Sequence, residues 1–119
     1  MLLLAAVAVA ATIQTPVTKD GTHQASPLWD SVASAKDCAE SNVRAFKAAI
    51  AGKGSMNAVD QSPACTDGRL GLLTHGTKVA PDKSDACQGN HDEIAFVHVK
   101  VLSGKYAGKD GCVDASTVK

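Results

Sequence analysis

The sequence predicts an α+β fold: one N-terminal amphipathic helix followed by a small all-β unit, stapled by two disulfides. Apolar residues recur at helical spacing in the first half and alternate at period two near the C-terminus. Four cysteines divide two and two between those halves. The 119 residues allow one domain, or one small domain with an appendage. Hydrophobic residues make up 45%, but many are alanine, and only four residues (one Trp, one Tyr, two Phe) are aromatic. About 23 large apolar side chains follow position 11. So thin a core ordinarily needs covalent support. Twelve basic residues balance twelve acidic ones. No global field therefore draws the chain to nucleic acid or to an anionic membrane.

Met1 to Ala11 reads MLLLAAVAVAA. The run is too short to span a bilayer, but it fits the apolar region of a secretory signal peptide. Small residues at Ala8-Val9-Ala10 or Val9-Ala10-Ala11 suit a signal peptidase. No Lys or Arg precedes the run, which is what a truncated start would leave. The first cysteine is Cys38, far from the run, so no lipoprotein anchor is expected and no stable membrane anchor survives cleavage. Residues 12–25 are polar, contain Pro16 and Gly21, and show no period, so a flexible linker is expected there.

At Ser26-Pro27 the pattern changes: Ser26 suits a helix N-cap and Pro27 the first helical position. Leu28, Val32, Ala35, Ala39, Val43, Phe46 and Ile50 then recur at three- and four-residue steps. Asp30, Lys36, Asp37, Glu40, Arg44 and Lys47 take the opposite side, and Gly52 and Gly54 end the helix. The stretch from Asn57 to Gly68 reads as a loop, completing a helix-plus-stapled-loop unit over residues 26–68. After Gly68 the helical period vanishes. Leu70–Leu73 and His75–Val79 predict two short strands around a turn, and residues 81–92 a polar loop. Glu93–Leu102 alternates, with Ala95, Val97, Val99 and Val101 on one face and Ile94, Phe96, His98, Lys100 and Leu102 on the other. Apolar groups on both faces suit a curved strand in a small barrel.

Cys38, Cys65, Cys87 and Cys112 are an even set in a small chain expected to be exported, so two disulfides are expected, with three connectivities open. Sequential pairing, Cys38–Cys65 and Cys87–Cys112, is preferred because each pair falls within one compositional half. A Cys38–Cys65 bridge would fold the loop back along the helix.

The run Val99-Lys100-Val101-Leu102-Ser103-Gly104-Lys105-Tyr106-Ala107-Gly108-Lys109-Asp110-Gly111-Cys112-Val113, preceded by Leu73-x-x-Gly76-Thr77-Lys78-Val79, resembles the bacterial SH3-like domains of exported proteins. Their sheet commonly ends in a strand, a G-x-[YH]-x-G-x-x-G turn, then W-V or C-V and a closing helical turn. The resemblance covers roughly residues 69–119 and implies an SH3-like β-barrel there. Where many members carry Trp after the last Gly, this chain has Cys112, and a bond to Cys87 would compensate by tying the polar loop to the final strand. Peptide-binding members line their grooves with aromatic residues, for which Tyr106 and Phe96 are the candidates here.

Among chemical readings, Cys87-x-x-x-His91 with Asp92 and Glu93, completed by His75 or Cys65, is one loose ligand pair. Zinc sites show two tight pairs, so neither metal nor any other cofactor is expected. There is no Gly-x-Ser-x-Gly elbow, and Gly108-Lys109 lacks the Ser or Thr of a phosphate loop. The expected protein is a non-catalytic, periplasmic or secreted binding module. Its partner would be a protein or a cell-envelope polymer, met through Tyr106, Phe96, Lys105 and His98. The alternatives are a small secreted inhibitor or effector of a partner protein and, last, a small metal-dependent hydrolase.

Overall fold

The computed structural model describes residues 10–82, 84–91 and 94–119. Most of the apolar stretch read from the sequence as a signal peptide lies outside them, as do Lys83, Asp92 and Glu93. The elements run β1 (Ala11–Thr12), β2 (Ser26–Trp29), α1 (Val32–Ile50), α2 (Pro63–Thr66), β3 (Arg69–Leu73), β4 (Lys78–Pro81), β5 (Asn90–His91), β6 (Ile94–Val101) and β7 (Asp110–Asp114). Single 3-10 turns lie at Met56–Ala58, Asp85–Cys87 and Ala115–Thr117.

The expected architecture is corrected here. The structure is not an N-terminal helix followed by a small barrel. It is one open antiparallel sheet in the order β1-β4-β6-β7-β2-β3, with β5 on β6, and the long helix sits mid-chain between β2 and β3. β2, expected as the first turn of the helix, instead pairs with both β3 and β7. The reason is burial: Leu28 is fully enclosed and Trp29 nearly so, and a strand delivers both to the interior. Pro27 favours an extended residue before it, so the Ser-Pro pair serves a strand as readily as a helix start. The helix begins after Ser31, whose extended backbone and side chain cap it by accepting from the Ser34 N–H. At the other end Gly52 takes φ +74°, a conformation that glycine adopts at little cost, and the helix stops.

The first residues of the 12–25 stretch, read from the sequence as a flexible linker, are tied into the sheet. Ala11 and Thr12 pair with Val79 and Lys78, Thr12 exchanges backbone bonds with Lys119, and Gln14 N–H donates to Thr117 C=O at 2.7 Å. Ile13 is completely buried. One isoleucine in polar surroundings gives no period to read, yet it closes the core between the two ends of the chain.

The described residues form two cores. The first is aliphatic: Ile13, Leu28, Leu73, Val79, Val99, Val101 and Val113, with Tyr106 packed at its margin. The second holds Trp29, Ala35 and all four cysteines. The sulfurs are bonded as Cys38–Cys65 and Cys87–Cys112, the sequential pairing. Each bridge closes a loop of about 25 residues, on the order of 3 kcal/mol in the chain-entropy model. Trp29 shares this core with both bridges and lies opposite Cys112 across the sheet, so sulfur does the work of bulk where large side chains are scarce.

Helix α1 meets the protein along the side that carries Val32, Ala35 and Cys38, so its apolar stripe is used only in its first half. The Asn57–Gly68 stretch is held against that side by Cys65, by Ser62 Oγ 2.7 Å from Ser41 Oγ, and by the Asp60 N–H donating to Asn42 Oδ1 at 2.7 Å. Asp60 sits at φ +69° and is gripped through its carboxylate by Arg69 at 2.7 Å. Val43, Phe46 and Ile50 are left exposed.

Candidate functional site

Of the four residues singled out from the sequence, the structure brings Tyr106 and Lys105 together and sets Phe96 and His98 elsewhere. Tyr106 and Lys105 lie in the turn from β6 to β7. Gly104 at φ +80° and Gly108 at φ +92° reverse the chain there, and Gly108 N–H donates to Val101 C=O at 2.8 Å. The Tyr106 ring lies directly over Gly71 of β3; a methyl group on Gly71 would come within 2.6 Å of it. Lys105 Nζ stands 5.5 Å from the centre of the same ring, within reach of a cation–π contact.

Between this turn and the end of β3 lies a cleft of about 240 Å³. Leu72, Leu73, Thr74 and Thr77 form one wall, and Ser103, Gly104, Lys105 and Tyr106 the other. Leu72 presents an apolar side chain that is 43% exposed. Ser103 is fixed by accepting the Lys78 N–H at 2.9 Å. β3 ends the sheet, its only strand partner among the described residues being β2. An aliphatic wall, an aromatic face and an ammonium group therefore meet at the terminal strand of the sheet. A cleft of this make-up can take one side chain of an extended ligand, with backbone hydrogen bonds available at the strand edge.

Phe96, opposite Asp114 on β7, is half-buried against the disulfide core and supports it. His98 is clamped between two carboxylates, Nδ1 at 2.7 Å from Asp82 and Nε2 at 2.9 Å from Asp110. Burial works against its charge, but the bonds to Asp82 and Asp110 outweigh burial and raise its pKa above the ordinary 6.5. Asp82 is held below the ordinary carboxylate value by the Ser84 N–H first and His98 second. With both ring nitrogens engaged, His98 joins β4, β6 and β7 and has no nitrogen free for a ligand.

A second hollow, about 410 Å³, lies between Gln14–Pro16, His75, Ser116, Thr117 and Lys119. His75, on its wall, stacks on His23, a histidine pair the sequence did not reveal, since 52 residues separate the partners. His23 and His75 stack with ring centres 3.6 Å apart and planes within 10°. The Thr15 backbone lies against both rings: its N–H donates to His75 Nδ1, and its C=O accepts from His23 Nδ1. His75 is thereby the Nε2–H tautomer, and His23 the Nδ1–H tautomer when neutral. The pairing of one stretch expected as a linker with the β3–β4 turn left no periodic trace to find.

The loose metal constellation does not assemble as thiolates. Cys65 and Cys87 are spent in disulfides, and His75 Nδ1 is taken by Thr15. The side chains of His91, Asp92 and Glu93 lie outside the described residues. Cys38, Asp60 and Cys65 converge within 4.8 Å, but the two sulfurs are bonded to each other and neither is a thiolate donor.

Fold and site together define a small, disulfide-stapled antiparallel-sheet domain carrying a shallow amphipathic cleft at a sheet edge. No protein-family model, curated protein or solved structure matches the chain. Its two disulfides are compatible with an oxidising, extracellular or periplasmic environment.

Proposed function

We propose that the protein is a non-catalytic binding module of the periplasm or the cell exterior. It takes an extended segment of a protein or cell-envelope polymer along the β3 edge, with one side group in the Leu72–Lys105–Tyr106 cleft. The observation that carries this is the convergence of Tyr106 and Lys105 with the exposed Leu72 beside the unpaired side of β3. Tyr106 on the β6–β7 turn supplies the aromatic anchor, with Leu72 of β3 and Lys105 beside it.

The test is co-sedimentation of the oxidised protein with peptidoglycan sacculi, alongside titration with extended acidic and aromatic peptides. Leu72→Asp and Lys105→Glu are expected to weaken retention at least tenfold, while Lys19→Glu, an equal charge change at an exposed site away from the cleft, leaves it intact. Equal retention of all three variants, or no retention of the wild type by either ligand class, refutes the proposal.

A further inference from the structure

On α1, Ala39, Val43, Phe46 and Ile50 follow at steps of four, three and four, the spacing of a seam between two packed helices. The molecule itself does not use this seam: Val43 is 52% exposed, Phe46 48% and Ile50 71%. The helix packs its own domain along the neighbouring side, through Cys38, Ser41 and Asn42. We infer that the seam is covered by the α1 helix of a second copy of this chain, running antiparallel about a two-fold axis.

The flanking charges select this occupant and this direction. Along the open flank of the seam lie Glu40 and Lys47, seven residues apart and so on the same line of the helix. The other flank, Asn42 and Ala49, is neutral, and Asn42 is already engaged by the Asp60 N–H. In an antiparallel pair Val43 of each copy meets Phe46 of the other, and Ile50 meets Ala39. That register sets Glu40 opposite Lys47 of the second copy, and the two-fold axis repeats the pair. A parallel pair would face each charge with the neutral flank instead, which makes no ion pair. The patch is thus its own complement in shape and charge, as a two-fold interface requires.

With three large apolar residues from each copy, the interface falls in the small class, and self-association is expected at protein concentrations on the order of 100 μM. Sedimentation equilibrium of the intact, oxidised chain at up to about 1 mM reads it out. Ile50→Asp and Phe46→Asp are expected to leave a monomer with unchanged disulfides and circular dichroism, because neither side chain enters a core. Glu40→Lys and Lys47→Glu alone should each weaken the dimer about tenfold by replacing two attractions with two repulsions. The double variant Glu40→Lys with Lys47→Glu should recover the wild-type constant. A wild type that stays monomeric throughout overturns the inference. So does a dimer indifferent to Ile50→Asp, which places the contact elsewhere, or a double variant as weak as the singles. A monomer that instead binds lipid vesicles through this helix also overturns it.

Discussion

Replacing His98 by glutamine isolates the clamp at the middle of the sheet. Carboxylates only accept hydrogen bonds, so the contacts from His98 to Asp82 at 2.7 Å and Asp110 at 2.9 Å are both made only by the imidazolium. Glutamine can donate to one carboxylate but turns its carbonyl oxygen toward the other, and it is neutral at every pH. His98 is 15% exposed while its partners are 47% and 66% exposed, so solvent screens the pairs and the clamp contributes about 1 kcal/mol in all. Because the folded-state pKa of His98 is raised, its contribution is complete below about 6.5 and is lost as pH climbs through the folded-state value. Asp82 has the opposite sign: its contribution is present above 3.8 and is lost as pH falls through its depressed value. Denaturant unfolding of wild type and His98→Gln between pH 4 and 9 should therefore show the widest gap between about pH 4 and 6.5. There the gap corresponds to roughly 4 °C in melting temperature, and it closes under alkaline conditions. A gap that is constant across this range, or that widens as pH rises, refutes the reasoning.

Close backbone approaches and the second disulfide are equally open to substitution. Gly111→Ala would place its methyl 2.5 Å from the Trp29 carbonyl oxygen, a backbone atom that cannot step aside, and should cost about 3 kcal/mol in urea unfolding. A loss under about 0.5 kcal/mol would show that β2 and β7 are not so closely apposed. For Gly71→Ala the nearest neighbours are atoms of the Tyr106 ring, a side chain on a turn that can swing out. It should change tyrosine fluorescence and ligand retention much more than stability; an unchanged tyrosine environment would count against the stacked cleft. Cys87→Ala and Cys112→Ala should each cost about 3 kcal/mol, with little further loss when combined, because either removes the same bridge. Clearly additive losses in thermal unfolding would show that the two residues act separately.

Much of the local structure was legible in the residues. The long helix and its glycine stop, the alternation of β6, the glycine turn at Gly104–Gly108 and the need for two disulfides all rest on near-neighbour chemistry, which the chain carries wherever it is placed. The site was half legible. Tyr106 and Lys105 share a turn and arrive together, whereas Phe96 and His98 share a strand face with no common purpose. Their roles were set by what lies across from them: a disulfide core for Phe96 and two carboxylates for His98. Neither Asp82 nor Asp110 is a sequence neighbour of His98, so spacing held no sign of the clamp.

What the residues determined alone was the thin interior and its dependence on sulfur, because volume and cysteine number are properties of composition. Only the folded molecule decided the role of Leu28 and Trp29, and which side of α1 would face inward. An apolar residue at helical spacing is buried by whichever surface encloses it at least cost in free energy. For Leu28 and Trp29 that surface was a sheet formed with strands from the far end of the chain. For Val43, Phe46 and Ile50 the domain provides no such surface, because the Cys38–Cys65 bridge turns the helix to present another side.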